Sequence, residues 1–226
     1  MDWMDLVFPK KCVGCGHWGK YVCDSCEVGL WEEEQICPIC ARASRYGLRH
    51  TYCNRSPGLE GLTCLWAYEG IAQKIITKAK YNYYYDFLGE LLVNSPLFFA
   101  RPEYTLFRRF LELKPVVVPV PLYFKREKER GFNQAQVISL SLSKSVRLGM
   151  KDCLVRVKDT GRQVGRGREE RLKNMANAFA LNPKFPIPKN VLLVDDVWTT
   201  GATMNECSRV LIKAGAGRVW GFVLAR

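Results

Sequence analysis

Four apolar runs stand out along the chain. Val191–Val194 is aliphatic throughout and Val116–Val120 repeats the type, so both read as buried parallel strands. Val219–Leu224 reads as a last strand, and Leu154–Val157 as a shorter one. Elsewhere the period changes. Ile71, Ile75 and Ile76 recur at helical spacing, as do Phe87, Leu88, Leu91 and Leu92, so Trp66–Leu97 predicts one or two helices. Gln134–Leu148 and Met204–Lys213 read as helices, Arg171–Phe179 as a short one, and Pro96–Leu113 as a less regular connection. Strands alternating with helices predict an α/β fold, a parallel sheet flanked by helices. Pro57, Gly58 and Gly61 make a short linker near Ser56–Gly61, dividing the chain into residues 1–60 and 61–226.

Composition narrows the class. Apolar residues are 48% of the 226, enough for a packed core without staples. No apolar run is long enough to span a bilayer, and Met1–Lys11 carries Asp2 and Asp5 and lacks a signal-peptide apolar region. A cytoplasmic protein without membrane insertion is the expectation. Net charge is +12, unevenly spread: residues 1–60 hold 7 Lys/Arg against 8 Asp/Glu, and residues 61–226 hold 27 against 14. Pro121–Lys173 alone holds 14 against 6. Such a surface favours polyanions, namely pyrophosphate, nucleotides or nucleic acid, although a general solubility charge gives the same count.

Eight of the ten cysteines precede residue 65. In a reducing compartment this clustering points to metal rather than disulfides. The spacing is Cys12-x2-Cys15, Cys23-x2-Cys26, Cys37-x2-Cys40 and His50-x2-Cys53. Each pair turns two ligand atoms toward one point, and two pairs supply the tetrahedral set that Zn²⁺ accepts. The expectation is a double zinc ribbon, the first site Cys12, Cys15, Cys23 and Cys26, the second Cys37, Cys40, His50 and Cys53. An interleaved pairing, Cys12/Cys15 with Cys37/Cys40, satisfies the same spacing. His17 reads as a bystander, and Cys64, Cys153 and Cys207 as small core residues.

The stretch Val191–Thr203, V-L-L-V-D-D-V-W-T-T-G-A-T, carries the second chemistry. Asp195 and Asp196 stand at the carboxyl end of a parallel strand, where open α/β sheets place ligands. Thr199, Thr200, Gly201, Ala202 and Thr203 have small side chains and precede a helix, so the turn suits a phosphate. The acids would repel a phosphate but accept hydrogen bonds from a ribose diol. A ribose 5-phosphate lying across the strand end satisfies both. Lys125, Arg126, Lys128 and Arg130 read as a basic loop at the end of the Val116–Val120 strand. Lys158–Arg168, with three glycines and three arginines, reads as a lid. Lysines and tyrosines interleave over Lys74–Tyr85, which suits either base stacking or an amphipathic helix packed over the sheet.

The Val191–Thr203 stretch resembles the phosphoribosyltransferase signature for 5-phosphoribosyl-1-pyrophosphate (PRPP). That likeness implies Asp195 and Asp196 on the ribose hydroxyls, Val197 and Thr199–Thr203 around the 5-phosphate, Arg126, Lys128 and Arg130 on pyrophosphate, and Mg²⁺ accompanying PRPP. The whole chain resembles the ComF/ComFC family, a double zinc ribbon joined to a phosphoribosyltransferase-like domain. Arg130–Gln134 reads R-G-F-N-Q as in that family, and Tyr68-Glu69-Gly70 agrees. So do Arg156, Lys158, Thr160, Gln163, Arg171, Asn174, Ala178 and Phe179 in the lid region and after it. Two positions depart: His50 stands for a cysteine, with Ser56 where that C-x2-C would end, and Arg166 stands for an aliphatic lid residue. The resemblance implies handling of single-stranded DNA during natural transformation, with a helicase or recombination mediator as partner. Read as an enzyme, the domain would transfer a phosphoribosyl group, yet no residue declares itself as base for an acceptor. Read otherwise, it is a non-catalytic DNA accessory or a nucleotide-sensing regulator using the same pocket.

Overall fold

The computed structural model describes residues 10–54, 57–81, 92, 99–161 and 174–226. Its centre is a four-stranded parallel sheet in the order β1-β6-β5-β2. The strands are β1 (Gly61–Trp66), β2 (Val116–Pro119), β5 (Asn190–Val197) and β6 (Arg218–Ala225). β3 (Leu154–Arg156) and β4 (Phe179–Leu181) form a separate antiparallel pair. Apart from a one-turn helix α1 (Asp24–Glu27), the helices are α2 (Gly70–Tyr81), α3 (Thr105–Glu112), α4 (Phe124–Arg130), α5 (Gln134–Ser145) and α6 (Ala202–Lys213).

Strand side chains alternate between two cores, as the pleat requires. Leu192, Val194, Trp220, Phe222 and Leu224 meet α2, α3 and α5 through Ile75, Ile76, Phe107, Phe110, Ile138 and Leu142. Val191, Leu193, Val219 and Val223 meet α6 and the β3–β4 pair through Met204, Cys207, Leu211, Leu154 and Phe179. The ribbons join both: Val13 enters the first core and Ile36 the second. Ion pairs Arg101–Glu32, Arg226–Glu33 and Arg218–Glu60 tie the N-terminal 60 residues to the rest.

Several expectations are corrected. Gly61 and Trp66 belong to β1, whose six residues are all buried, so no polar alternation marks it. Gly61 is required there by contact, because a Cβ would meet the Trp220 ring at 2.5 Å. Pro96–Leu113 contains α3, which buries Phe107 and Phe110. Lys125–Arg130 is helix rather than loop; no Gly or Pro interrupts it until Gly131 ends it at φ 79°. Phe179 opens a strand instead of closing a helix, since its backbone pairs with Arg156. Ser56, Tyr83–Tyr85, Phe87, Leu88, Leu91, Gln163, Arg166 and Arg171 lie outside the described residues.

Candidate functional site

The candidate zinc ligands gather as in the first of the two pairings. Cys12, Cys15, Cys23 and Cys26 bring their sulfurs within 4.8 Å of one another, and Cys37, Cys40, His50 and Cys53 do the same with their ligand atoms. A tetrahedral Zn–S set of about 2.3 Å bonds needs sulfurs about 3.8 Å apart, and Cys15 and Cys23 stand at 3.6 Å. The side chains do not gather in the interleaved pairing. Backbone N–H groups of Cys23 and His50 donate to Cys12 and Cys37 at 3.4 Å, the bonds that orient thiolates in such knuckles. His50 turns Nε2 to the Ala43 carbonyl at 3.1 Å and Nδ1 toward Cys40 at 3.4 Å. A proton on Nε2 makes Nδ1 the acceptor nitrogen, and the Tyr52 hydroxyl stands 2.9 Å from it on the same side as the Cys40 sulfur. Burial pushes the Cys12 and Cys40 thiols up. Hydrogen bonds outweigh it, at Cys12 chiefly from the backbone of Cys23, Cys15 and Gly14, and at Cys40 from the Arg42 backbone together with the His50, Cys37 and Cys53 side chains, and bring both down to about 6. The donor set and its hydrogen bonds fit structural Zn²⁺.

A second site lies at the carboxyl ends of β1, β2 and β5. A cavity of about 250 Å³ opens there, lined by Asp195, Asp196 and Val197 from β5, Thr199 and Thr203 from the following turn, and Tyr68 beyond β1. Val120, Pro121 and Leu122 after β2 form another wall, with Arg130, Asn133, Gln134 and Ala135 around the start of α5, and Arg156 from β3.

Local sequence explains the placement. Asp195 accepts from the Asp196 N–H at 2.9 Å, which fixes one carboxylate against its neighbour's backbone. Gly201 sits at φ 75°, and a Cβ there would meet the Trp198 ring at 2.2 Å. Only glycine allows the chain to turn over a buried tryptophan and enter α6. Thr200 Oγ1 accepts from Ala202 N at 3.4 Å, so Thr200, Gly201 and Ala202 build the turn whose flanks, Thr199 and Thr203, line the cavity. Across from it, Asn133 caps α5 by accepting from Ala135 N at 3.0 Å and anchors to the Val120 carbonyl at 3.0 Å. That cap delivers Gln134 to the cavity wall.

Polar groups there are incompletely used. Gln134 is 3% exposed and accepts from Arg130 Nη1 at 3.1 Å, but its Nε2 has no partner. Arg156 donates to Thr160 and leaves Nε without one. Burial lowers the Arg156 guanidinium pKa and the nearby Arg126 charge lowers it further, against the pull of Asp195. Buried donors without acceptors, beside like charge, make a receptive place for an anion.

Of the basic residues expected on pyrophosphate, the structure brings only Arg130 to the cavity. Arg126 lies outside, 4.0 Å from Asp159, and Lys128 is exposed on α4. The helix explains it: successive helical residues point about 100° apart, so one turn cannot aim all three at one cavity. Among the expected lid residues, Arg156 lines the cavity, Thr160 is buried beneath it, and Lys158 is exposed. Asn133, Gln134 and Tyr68 are wall residues to which sequence reading gives no role. The signals are the R-G-F-N-Q motif and the N-cap pattern after Gly131 for the first two and the Tyr68-Glu69-Gly70 motif for the third, none of which assigns them to a cavity wall.

Comparison with known proteins agrees with the N-terminal metal sites. The double zinc ribbon domain family matches residues 3–56. Competence protein F of Haemophilus influenzae is 41% identical over 121 residues, which cover 51% of this chain and 52% of that protein. DNA utilization protein YhgH of Escherichia coli K12 is 27% identical across 98% of this chain and 99% of its own length. Competence protein ComFC of Bacillus subtilis is 28% identical over 91% of this chain and 84% of its own. The chain combines a zinc-ligating N-terminal module with a parallel α/β sheet. It is similar over most of its length to these competence and DNA utilization proteins. Among the described residues, no helix is long and apolar enough to cross a membrane.

Proposed function

We propose that the cavity binds the ribose phosphate of PRPP or a related ribose 5-phosphate, and that the protein uses this site while handling single-stranded DNA taken up in natural transformation, in the cytoplasm. One observation carries the reading: the acid pair, the flanks of the T-T-G-A-T turn, Arg130, Gln134 and Arg156 line one cavity. Asp195 and Asp196 would accept from the ribose 2- and 3-hydroxyls. Thr199 and Thr203 would hold the 5-phosphate at the start of α6, where N–H groups and the helix dipole favour negative charge. Arg130, Gln134 and Arg156 would then face the pyrophosphate end.

If the bound ligand reacts, the C1–oxygen bond to pyrophosphate breaks and its electron pair leaves with pyrophosphate. An acceptor bonds to C1 and gives up its proton. Arg130 and Arg156 stabilise the charge gathering on the leaving group, and the acid pair favours positive charge on the ribose ring. Mg²⁺ bound with the ligand would neutralise part of the phosphate charge.

A second reading is non-catalytic, either a DNA- or helicase-binding accessory or a nucleotide sensor. It is favoured by the wall itself: among the described residues, apart from Asp195 and Asp196, no carboxylate and no histidine lines the cavity to take the acceptor's proton. Pyrophosphate release from PRPP with Mg²⁺, across nucleobases, ammonia and oligonucleotide acceptors, separates the two. Release above background supports the transferase. Binding of PRPP without release supports the sensor or accessory.

A further inference from the structure

The first 60 residues are almost neutral in sum, but the charge is segregated. From Gln35 to Leu59 the sequence carries Arg42, Arg45, Arg49 and Arg55 and no acid. Three of the flanking acids turn to the sheet domain: Glu32 pairs with Arg101, Glu33 with Arg226 and Glu60 with Arg218. Those ion pairs take up three of the flanking acids, and Glu34 stays exposed next to the stretch. Arg42 and Arg45 are exposed.

Aromatic rings lie in the same stretch. Tyr52 is 61% exposed, and its inner face stacks on His50, with centroids 4.9 Å apart and planes at 21°. His50 is itself held by the Ala43 carbonyl and belongs to the second metal set. The Arg45 guanidinium lies over Tyr46 at 5.2 Å. The His50–Ala43 bond brings the backbone between Arg42 and Arg45 against the imidazole on which Tyr52 stacks. An exposed ring backed by a fixed imidazole loses little freedom when a base stacks on it, and guanidinium groups nearby suit the adjoining phosphates. The basic helix α4 is less suited, because Glu127 and Glu129 alternate with its lysines and arginines.

We infer that the second zinc ribbon, through Arg42, Arg45 and Tyr52, is a docking surface for single-stranded DNA, separate from the cavity. The inference rests on the DNA-handling reading above and names the surface that performs it. It implies that a ribose phosphate in the cavity does not displace DNA.

The test uses full-length, zinc-loaded protein and fluorescence anisotropy with an oligo(dT) of about 15 nucleotides, within the range one small module covers. Tyr52→Leu should weaken binding about tenfold, while Tyr52→Phe, which keeps the ring, should stay near wild type. Arg42→Ala with Arg45→Ala should weaken binding and reduce the salt slope by about 1.4, roughly 0.7 for each single-strand phosphate no longer neutralised. Zinc content is measured on every variant, so that an unfolded ribbon is not mistaken for a weakened surface. Variants that keep both zinc ions and bind like wild type overturn the surface while leaving DNA handling intact. Wild type that fails to bind overturns both. Tighter binding of a duplex or of oligo(U), or displacement of oligo(dT) by PRPP, also overturns the inference.

Discussion

Asn205 donates from Nδ2 to the carbonyl oxygen of Pro38 at 3.1 Å, joining the first turn of α6 to the knuckle between Cys37 and Cys40. The same residue's N–H donates to Gly201 O at 2.9 Å, and its side-chain amide packs over Gly201. One residue thus connects the second zinc site to the turn that flanks the cavity. Removing the side chain leaves a buried carbonyl unpaired, which costs about 1–3 kcal/mol. Asn205→Ala should therefore lower the melting temperature and speed zinc loss from one of the two sites, read by a chromogenic chelator. It should also reduce the ribose 5-phosphate-induced thermal shift. Unchanged zinc release would show that the bond carries no linkage.

Gly201→Ala tests the turn directly. The positive φ and the Trp198 ring leave no room for a methyl group. The expected result is a destabilised protein, by about 1–3 kcal/mol in urea melts, with no thermal response to ribose 5-phosphate. A variant as stable and as responsive as wild type would mean that the turn has another conformation.

Metal content gives a third prediction. Elemental analysis should find two zinc ions per chain, and Cys37→Ser should leave one. Val13 and Ile36 insert from the ribbons into the two sheet cores. Chelation should therefore lower the melting temperature of the whole chain rather than unfold the ribbons alone.

These features are not equally legible in the sequence. The metal ligands are, because C-x2-C spacing is local and each pair makes its own turn. Asp195, Asp196 and the following turn are also legible, since strand, acids and helix start are contiguous. β1 is not: Gly61–Trp66 is buried on both faces, so it lacks alternation, and its partner β6 lies about 160 residues away. The basic segment misleads for a different reason. The charge of Lys125–Arg130 suggests a loop around an anion, whereas the absence of glycine and proline makes it a helix that removes Arg126 and Lys128 from the cavity. The motif marks Gln134, but its unpaired Nε2 on the cavity wall emerges only through packing, since it depends on what surrounds the residue rather than on what flanks it.

Stability should also respond to acid through Glu206. Its carboxylate accepts from Arg209 and, at 2.8 Å, from Asn177 N. The Arg209 bond, opposed by burial and aided by the Asn177 N–H, holds its pKa below the ordinary 4.5. A carboxyl lowered in the folded state adds stability that is present above pH 4.5 and lost as pH falls toward the folded value. Urea melts of wild type and Glu206→Gln should differ most near neutral pH and converge below pH 4.5. Parallel curves would contradict the assignment.

In the proposed reading, the cavity at the ends of β1, β2 and β5 takes a ribose phosphate through the acid pair. Calorimetric titration of PRPP with Mg²⁺ into wild type and into the Asp195→Ala, Asp196→Ala double variant tests it most directly. The account predicts saturable one-to-one binding by wild type. Binding should weaken by about a hundredfold or more in the double variant, which lacks two charge-assisted hydrogen bonds. Equal affinity in the two proteins, or no binding to a wild type that carries both zinc ions, would contradict it.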